Sequence, residues 1–442
     1  MKEPFDQWLD RQYRYAAATM PASISPVELI KTRPGFAQTV RPLKGAIVAS
    51  PVLAAYDPDP DYFFHWYRDS AVVIDALRLL FMDGSIGPEG LVHFGDFVRF
   101  SRSLQDLDGR APVGLPSRRA GVAADFVRFL RDDADLAAVH GEAVAAETRV
   151  NPDGTLDISK WARPQHDGPP LRALALLRWA QGVSLAPDLE GVASALIRSD
   201  LDFTFRHWRE PSFDIWEEEQ GLHYYTLRVS AAALEQGASW LQTRGDERQA
   251  QDYRAEAQRI LRQLDGFWLA DQGYYRSRVL AGGRSSKELD IAVILAAIHA
   301  GEADDAHSAH DLRMQATLTR LEALFDAAYP INWSRSARTG PAMGRYADDV
   351  YYSGGAYYFS TLGAAEFCFR AAAGARDASA WIERGDGFLE TVRTFTPPSG
   401  ELSEQFDQHS GAQSSARHLA WSYAAFISCV AARRCVAGLS AS

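Results

Sequence analysis

The chain has 442 residues, 47% of them hydrophobic and 23% charged, with a formal net charge of −11. That balance fits a globular protein with a large core, and the acidic excess argues against nucleic acid or an anionic membrane surface as partner. A neutral ligand fits better, and 11 Trp, 17 Tyr and 22 Phe supply flat faces for one that carries both C–H and O–H surface.

Helical patterns dominate in chain order, and they come in two kinds. The first, roughly 5–20, is amphipathic. Next, 69–82 is apolar nearly all round (Val72, Val73, Ile74, Leu77, Leu79, Leu80, Phe81), and 87–103 is amphipathic again. The stretch 105–160 mixes loop signals with a helical pattern near 121–140. From there the kinds alternate. Apolar segments lie at 169–181, 222–240, 287–299, 355–372 and 417–434. Amphipathic ones lie at 187–207, 246–264, 309–327 and 377–395. In 246–264 the stripe is Ala250, Tyr253, Ala257, Ile260, Leu261 and Leu264; in 377–395 it is Trp381, Ile382, Phe388, Leu389, Val392 and Phe395. A helix without a polar face is buried on all sides, and a one-striped helix is half-buried. Six of each predict an inner ring wrapped by an outer ring, an all-α (α/α)6 toroid. With no stalk, low-complexity tract or fixed-period repeat, one domain over 1–442 is expected.

Cys368, Cys429 and Cys435 are the three cysteines. Six helical positions put the last two about 9 Å apart along an axis, too far for a bridge, so free buried thiols are expected. The first residues lack an apolar leader segment and no run reaches 18 apolar residues, which points to a cytoplasmic protein that does not cross a membrane.

Each apolar helix follows a polar, aromatic-rich segment. These are Tyr62–Asp69, Trp161–Asp167, Asp214–Glu219, Arg284–Asp290, Arg345–Tyr352 and Ser403–Asp407. Parallel inner helices would bring all six to one rim, around one pocket. Carboxylates and guanidinium groups there suit vicinal hydroxyls, while Trp and Tyr faces suit a pyranose ring. Glycoside cleavage needs two carboxyls, one protonated and one ionised. Glu217, beside Trp216 and two further acids, has both burial and like charge at hand to keep a proton. Blander roles compete. Glu217-Glu218-Glu219 could be a solvated helix start, Arg68-Asp69 an ion pair with Asp69 as helix cap, and Arg345 and Asp349 simple partners. Glu404 by itself says little. Asp57-Pro-Asp-Pro-Asp61 is better explained as a turn than a calcium loop, the 11 His show no metal-ligand spacing, and no cofactor is implied.

In this order the segments resemble the glucoamylases of glycoside hydrolase family 15, the fungal catalytic domain above all. The likeness runs from about Trp8 to Arg434. It is carried by Ile47-Val-Ala-Ser-Pro51, Asp61-Tyr-Phe with Trp66 and Arg68-Asp-Ser70, and Trp161 with Arg163-Pro-Gln and Asp167-Gly-Pro169. It continues through Asp214, Trp216-Glu-Glu218, Gly344-Arg-Tyr346, Asp349, Tyr351-Tyr352, Ser403-Glu-Gln405, Ser415-Ala-Arg417 and Trp421-Ser-Tyr-Ala-Ala425. The resemblance implies Glu217 as general acid and Glu404 as general base, in an inverting exo-acting enzyme that releases β-glucose. Arg68, Asp69 and Arg345 would grip the terminal glucose, with Tyr62, Trp66 and Trp421 around it. Asp214, Trp216, Glu218, Tyr346 and Asp349 would complete the binding set.

Three departures bear on the outer subsites. A fungal tryptophan on the outer side of the pocket reads here as Tyr357, another has no counterpart in 141–149, and His418 stands where an Asp is usual. Neither a starch-binding module nor an N-terminal β-sandwich is present, so a soluble α-glucan or oligosaccharide is the expected partner of a monomer. Hydrolysis of α-1,6-glucosides or trehalose is the alternative. A phosphorylase, or a non-catalytic carbohydrate-binding toroid, is disfavoured by the presence of both glutamates.

Overall fold

In the computed structural model, which describes residues 3–55, 58–115, 119–301, 306–336 and 338–440, every one of the twelve helical patterns becomes a helix. The apolar ones are α2 (Tyr67–Met82), α5 (Gly168–Gly182), α7 (Tyr224–Gln242), α9 (Ala292–Ala300), α12 (Tyr358–Ala372) and α14 (Ala420–Ser440). They pack in a closed circuit, α2 to α5, α7, α9, α12, α14 and back to α2. The amphipathic ones are α1 (Phe5–Thr19), α3 (Glu89–Leu104), α6 (Pro187–His207), α8 (Glu247–Asp265), α10 (Leu312–Ala328) and α13 (Ala378–Phe395). Each of α3, α6, α8, α10 and α13 packs on the inner helix beside it in sequence, and α1 packs on α14. The (α/α)6 toroid is complete.

Burial explains which helix goes where. Every residue of α12 except Arg370 is buried, as its all-round apolar surface requires. On α8 only the stripe Ala250, Tyr253, Ala257, Ile260 and Leu264, with Glu256, is covered. Glu256 is inside because the Trp208 indole donates to it at 2.7 Å and Arg209 and Arg259 pair with it. Close approach inside the ring rests on a missing side chain: a Cβ at Gly363 of α12 would stand 2.6 Å from the Leu295 Cδ2 of α9. On α13, Trp381, Ile382 and Phe395 are only half-buried, so its covered stripe is narrower than the pattern implied.

Three expectations change. The 121–140 pattern does not make one helix. It breaks into a 3-10 turn at Ala124–Phe129 and α4 (Asp133–Ala137), with another 3-10 turn at Gly141–Ala146. Backbone pairing with the 157–160 strand-like stretch wins there, through Arg131 N–H to the Ile158 carbonyl and Lys160 N–H to Phe129, and Arg131 is buried against Glu147. Helix α9 begins at Ala292 instead of near 287, because Asp290 is taken up in a backbone bridge with Tyr346 and its carboxylate accepts the Ala292 N–H at 2.8 Å. Cys368 and Cys429 are free and buried, but the free Cys435 is exposed. A short helix α11 (Pro330–Trp333) lies between α10 and the Arg345 segment.

Short antiparallel ribbons stitch the rim together, and no described strand exceeds four residues. His65–Trp66 pairs with Arg149–Val150. Gln220–His223 pairs with Ser212–Phe213 and Arg278–Val279, and Gln405–Phe406 lies between Ala356–Tyr357 and Gln413–Ser414. Three of these run straight into α2, α7 and α12 and so fix the residues that open each inner helix. Asp59 and Asp61, in the expected turn, pair with Arg417 and Arg33, while Tyr56 and Asp57 lie outside the described residues.

Candidate active site

The rim segments enclose a cavity of about 250 Å³, walled by Tyr62, Trp66, Arg68, Asp69, Trp216, Glu217, Glu218, Arg345, Tyr357, Glu404 and Trp421. Ala49, Trp161, Ile215, Tyr351, Phe359 and Leu419 complete the wall. Its floor is aromatic. Phe359 and Trp421 stack at 4.4 Å with a 9° tilt, and Trp216 lies over both. The Trp216 indole N–H is committed to Asp290 at 2.9 Å, which fixes the ring in the wall.

Glu217 sits on a backbone turn with φ 66°, in the left-handed region. Asp214 holds that turn: its carbonyl accepts the Glu217 N–H at 2.9 Å, its Oδ1 accepts Glu218 N–H at 2.7 Å, and its Oδ2 pairs with Arg278 at 2.7 Å. Both side-chain oxygens of Glu217 are occupied. Oε1 accepts Trp66 Nε1–H and Arg68 Nη2–H, each at 2.9 Å, and Oε2 accepts Trp161 Nε1–H. Its neighbours do not crowd it. Glu218 turns to Arg345 at 3.1 Å and to the Tyr346 hydroxyl, and Glu219 pairs with Arg278 at 2.7 Å. The like-charge pressure expected on Glu217 from sequence is thereby drawn away by cations.

Glu404 is held differently. Its Oε2 accepts the Ser415 hydroxyl and its Oε1 the Tyr62 hydroxyl at 3.3 Å, with Tyr351 OH 2.7 Å behind Tyr62. Burial pushes its carboxyl up to about 7, against the pull of Ser415 and Arg345. Arg68 ties the floor together, at 3.1 Å from Asp69 and 3.6 Å from Asp167. Burial raises Asp69, and carries Asp167 to about 7 although Arg68 opposes it. Strain gathers here too. Glu217, Asp348, Tyr352, Ser415 and His418 are five of the eight described non-glycine residues in left-handed backbone, at a cost of about 1–3 kcal/mol each.

Two carboxyls, guanidinium groups and aromatic faces in one cavity are what sugar hydrolysis needs, and sequence comparison decides the lineage. Glycosyl hydrolases family 15 matches residues 33–82, 146–383 and 376–431. The chain belongs to this family. A probable glucoamylase of Schizosaccharomyces pombe is 28% identical over 98% of this chain and 93% of its own length. A glucoamylase of Neurospora crassa is 29% identical over 88% of this chain and 63% of its own length. The glucoamylase structure from Saccharomycopsis fibuligera superposes with a TM-score of 0.80 at 21% identity, covering 99% of this chain and 97% of that one, and shares the fold. The protein is a family 15 glycoside hydrolase.

Not every sequence-derived site residue reaches the family 15 cavity. Asp214 organises the Glu217 turn from behind. Tyr346 supports Glu218, and Asp349 clamps Arg345 through two contacts of 2.6 Å. Arg345 and Asp349 are thus partners, as the simpler view held, and Arg345 also reaches Glu218. Asp69 lies in the first turn of α2 and does not cap it. Tyr357 is not on the outer side: it is fully buried, with its hydroxyl accepting from Gln405 at 2.6 Å and donating to Asp349 at 3.2 Å. His418 stays off the wall, bound to Tyr423 at 2.8 Å and Glu401 at 3.2 Å. Trp161 and Tyr351 were missed as wall residues. Both stood in quoted motifs, but contacts across 56 and 289 residues leave no periodic trace. Among the described residues, no helix is long and apolar enough to cross a membrane.

Proposed function

We propose that the chain is an inverting exo-α-glucosidase, which removes β-glucose from the non-reducing end of short or soluble α-glucans. One observation carries the assignment of roles. Glu217 accepts from Trp161, 42% exposed, and precedes the exposed Glu218, so it stands on the side of the cavity that meets solvent, although its own side chain, 10% exposed, is covered nearly as well as Glu404 at 8%. In a pocket open at one end the leaving chain must point outward. Glu217 is therefore the acid that protonates the departing oxygen, and Glu404 the base that takes a proton from water on the far face. The water oxygen bonds to the anomeric carbon as the glycosidic bond breaks, and its proton passes to Glu404. The two carboxyls are expected to stand roughly 6.5–9.5 Å apart, leaving room for that water.

Arg68, Asp69 and Arg345 are the groups for the terminal sugar's hydroxyls, with Trp421, Phe359 and Trp66 against its C–H faces. A guanidinium and an indole have no acceptor. Oε1 of Glu217 holds two donors, Trp66 and Arg68, whereas Oε2 holds only Trp161. Oε2 is therefore the oxygen that carries the proton, once the chain end displaces the exposed Trp161. Relatives described as glucoamylases support glucose release from α-glucans, and three free cysteines fit a reducing, cytoplasmic setting.

The test is proton NMR of the first product from maltose, maltotetraose, isomaltose, dextran and trehalose. β-Glucose released from maltotetraose before mutarotation, with maltotriose as the leaving unit, supports the proposal, and the fastest substrate names the linkage. α-Glucose as the first monosaccharide from maltotetraose refutes inversion. Glucose 1-phosphate formed in phosphate buffer would support a phosphorylase instead.

A further inference from the structure

We propose that Lys287 is a positioning residue for the leaving sugar: it holds the Glu218 carboxylate ready to accept a hydroxyl of that second unit. The inference rests on the exo-glucosidase proposal above. The segment Arg284–Asp290 is one of the six that open the inner helices, yet none of its side chains lines the cavity. Lys287 acts one contact back. Its Nζ is 2.7 Å from Glu218 Oε2 and 4.7 Å from the centre of the Tyr346 ring.

Charge shows why Glu218 needs it. Arg345 touches Glu218 at 3.1 Å, but Asp349 holds the same guanidinium through two contacts of 2.6 Å. Lys287 gives Glu218 a cation of its own. The lysine is in turn fixed: its N–H donates to Ser285 Oγ at 3.0 Å, its carbonyl accepts from Ser277 Oγ at 2.8 Å, and Ser285 bonds Glu219 at 2.8 Å. An ionised carboxylate has about four acceptor positions. Arg345, Tyr346 and Lys287 fill three and set the direction of the fourth. Glu218 neighbours the proposed acid on the solvent side, where the second sugar lies.

Lys287→Met and Lys287→Arg should be compared with the unmutated protein on maltose and on 4-nitrophenyl α-glucoside, whose leaving group has no sugar hydroxyls. Lys287→Met is expected to raise KM for maltose about tenfold with kcat within about threefold, and to change the aryl glucoside constants less than about twofold. Lys287→Arg should restore most of the maltose affinity. An unchanged KM for maltose overturns the inference, and so does an equal loss on both substrates, which a structural role would give. No turnover of either substrate by the unmutated protein overturns the glucosidase proposal and this inference with it.

Discussion

The two sides of the cavity hold their glutamates by opposite means. Glu217 is gripped by nitrogen donors, one of them cationic, on a strained turn near solvent. Glu404 is gripped by neutral hydroxyls in a buried recess that raises its carboxyl to about 7. Burial alone would name Glu404 as the acid. The proposed roles follow position instead, with Glu217 as the acid beside the exposed Trp161, the side toward which a leaving chain departs. The lesson is that the free structure shows where each carboxyl is held, and that Glu217 can act as the proposed acid only if a bound sugar draws a donor away from it.

The comparison can be broken most severely at the carboxyls. Glu217→Gln and Glu404→Gln are each expected to cut kcat on maltose by roughly 10³-fold, the middle of the range for general acid–base effects. Retained folding, checked by circular dichroism, separates this from collapse. Trp161→Phe keeps an aromatic face but removes one donor to Glu217, with an expected loss of roughly 10–100-fold in kcat/KM. The next effect belongs to the other side. A base must be ionised, so kcat/KM should fall as pH drops through about 7, the value for Glu404. Ser415 pulls that value down, so Ser415→Ala should move the acid limb to higher pH. A shift of one unit would cost about tenfold at pH 6. Tyr62→Phe, which removes the weaker 3.3 Å contact, should move the limb the same way by less. A limb that ignores both substitutions would take Glu404 out of the rate law.

Much of this architecture is legible in the sequence because burial writes itself as periodicity. Apolar residues all round 355–372 or 287–299 demand an interior helix, and the single stripe of 246–264 demands an outer one. Parallel inner helices then gather their leading segments at one end, which places Arg68, Glu217, Arg345 and Glu404 together before any coordinates exist. Distances finer than that were not legible. Whether Asp214, Tyr346 and Asp349 face the ligand or stand behind those that do depends on side-chain direction, and they stand behind. The Trp161 contact to Glu217 joins two loops that share no period. The 121–140 pattern fails because Arg131 finds Glu147 and the 157–160 stretch, partners that a local reading does not weigh.

The most direct measurement of the central claim is the dependence of each carboxyl variant on the leaving group. Glu217→Gln and Glu404→Gln would be assayed on maltose and on 4-nitrophenyl α-glucoside, whose acidic phenol departs with little help. If Glu217 is the acid, Glu217→Gln loses roughly 10³-fold on maltose but about tenfold or less on the aryl glucoside, while Glu404→Gln is crippled on both. The opposite pattern, with Glu404→Gln spared on the aryl glucoside and Glu217→Gln crippled on both, would exchange the two roles and contradict the account.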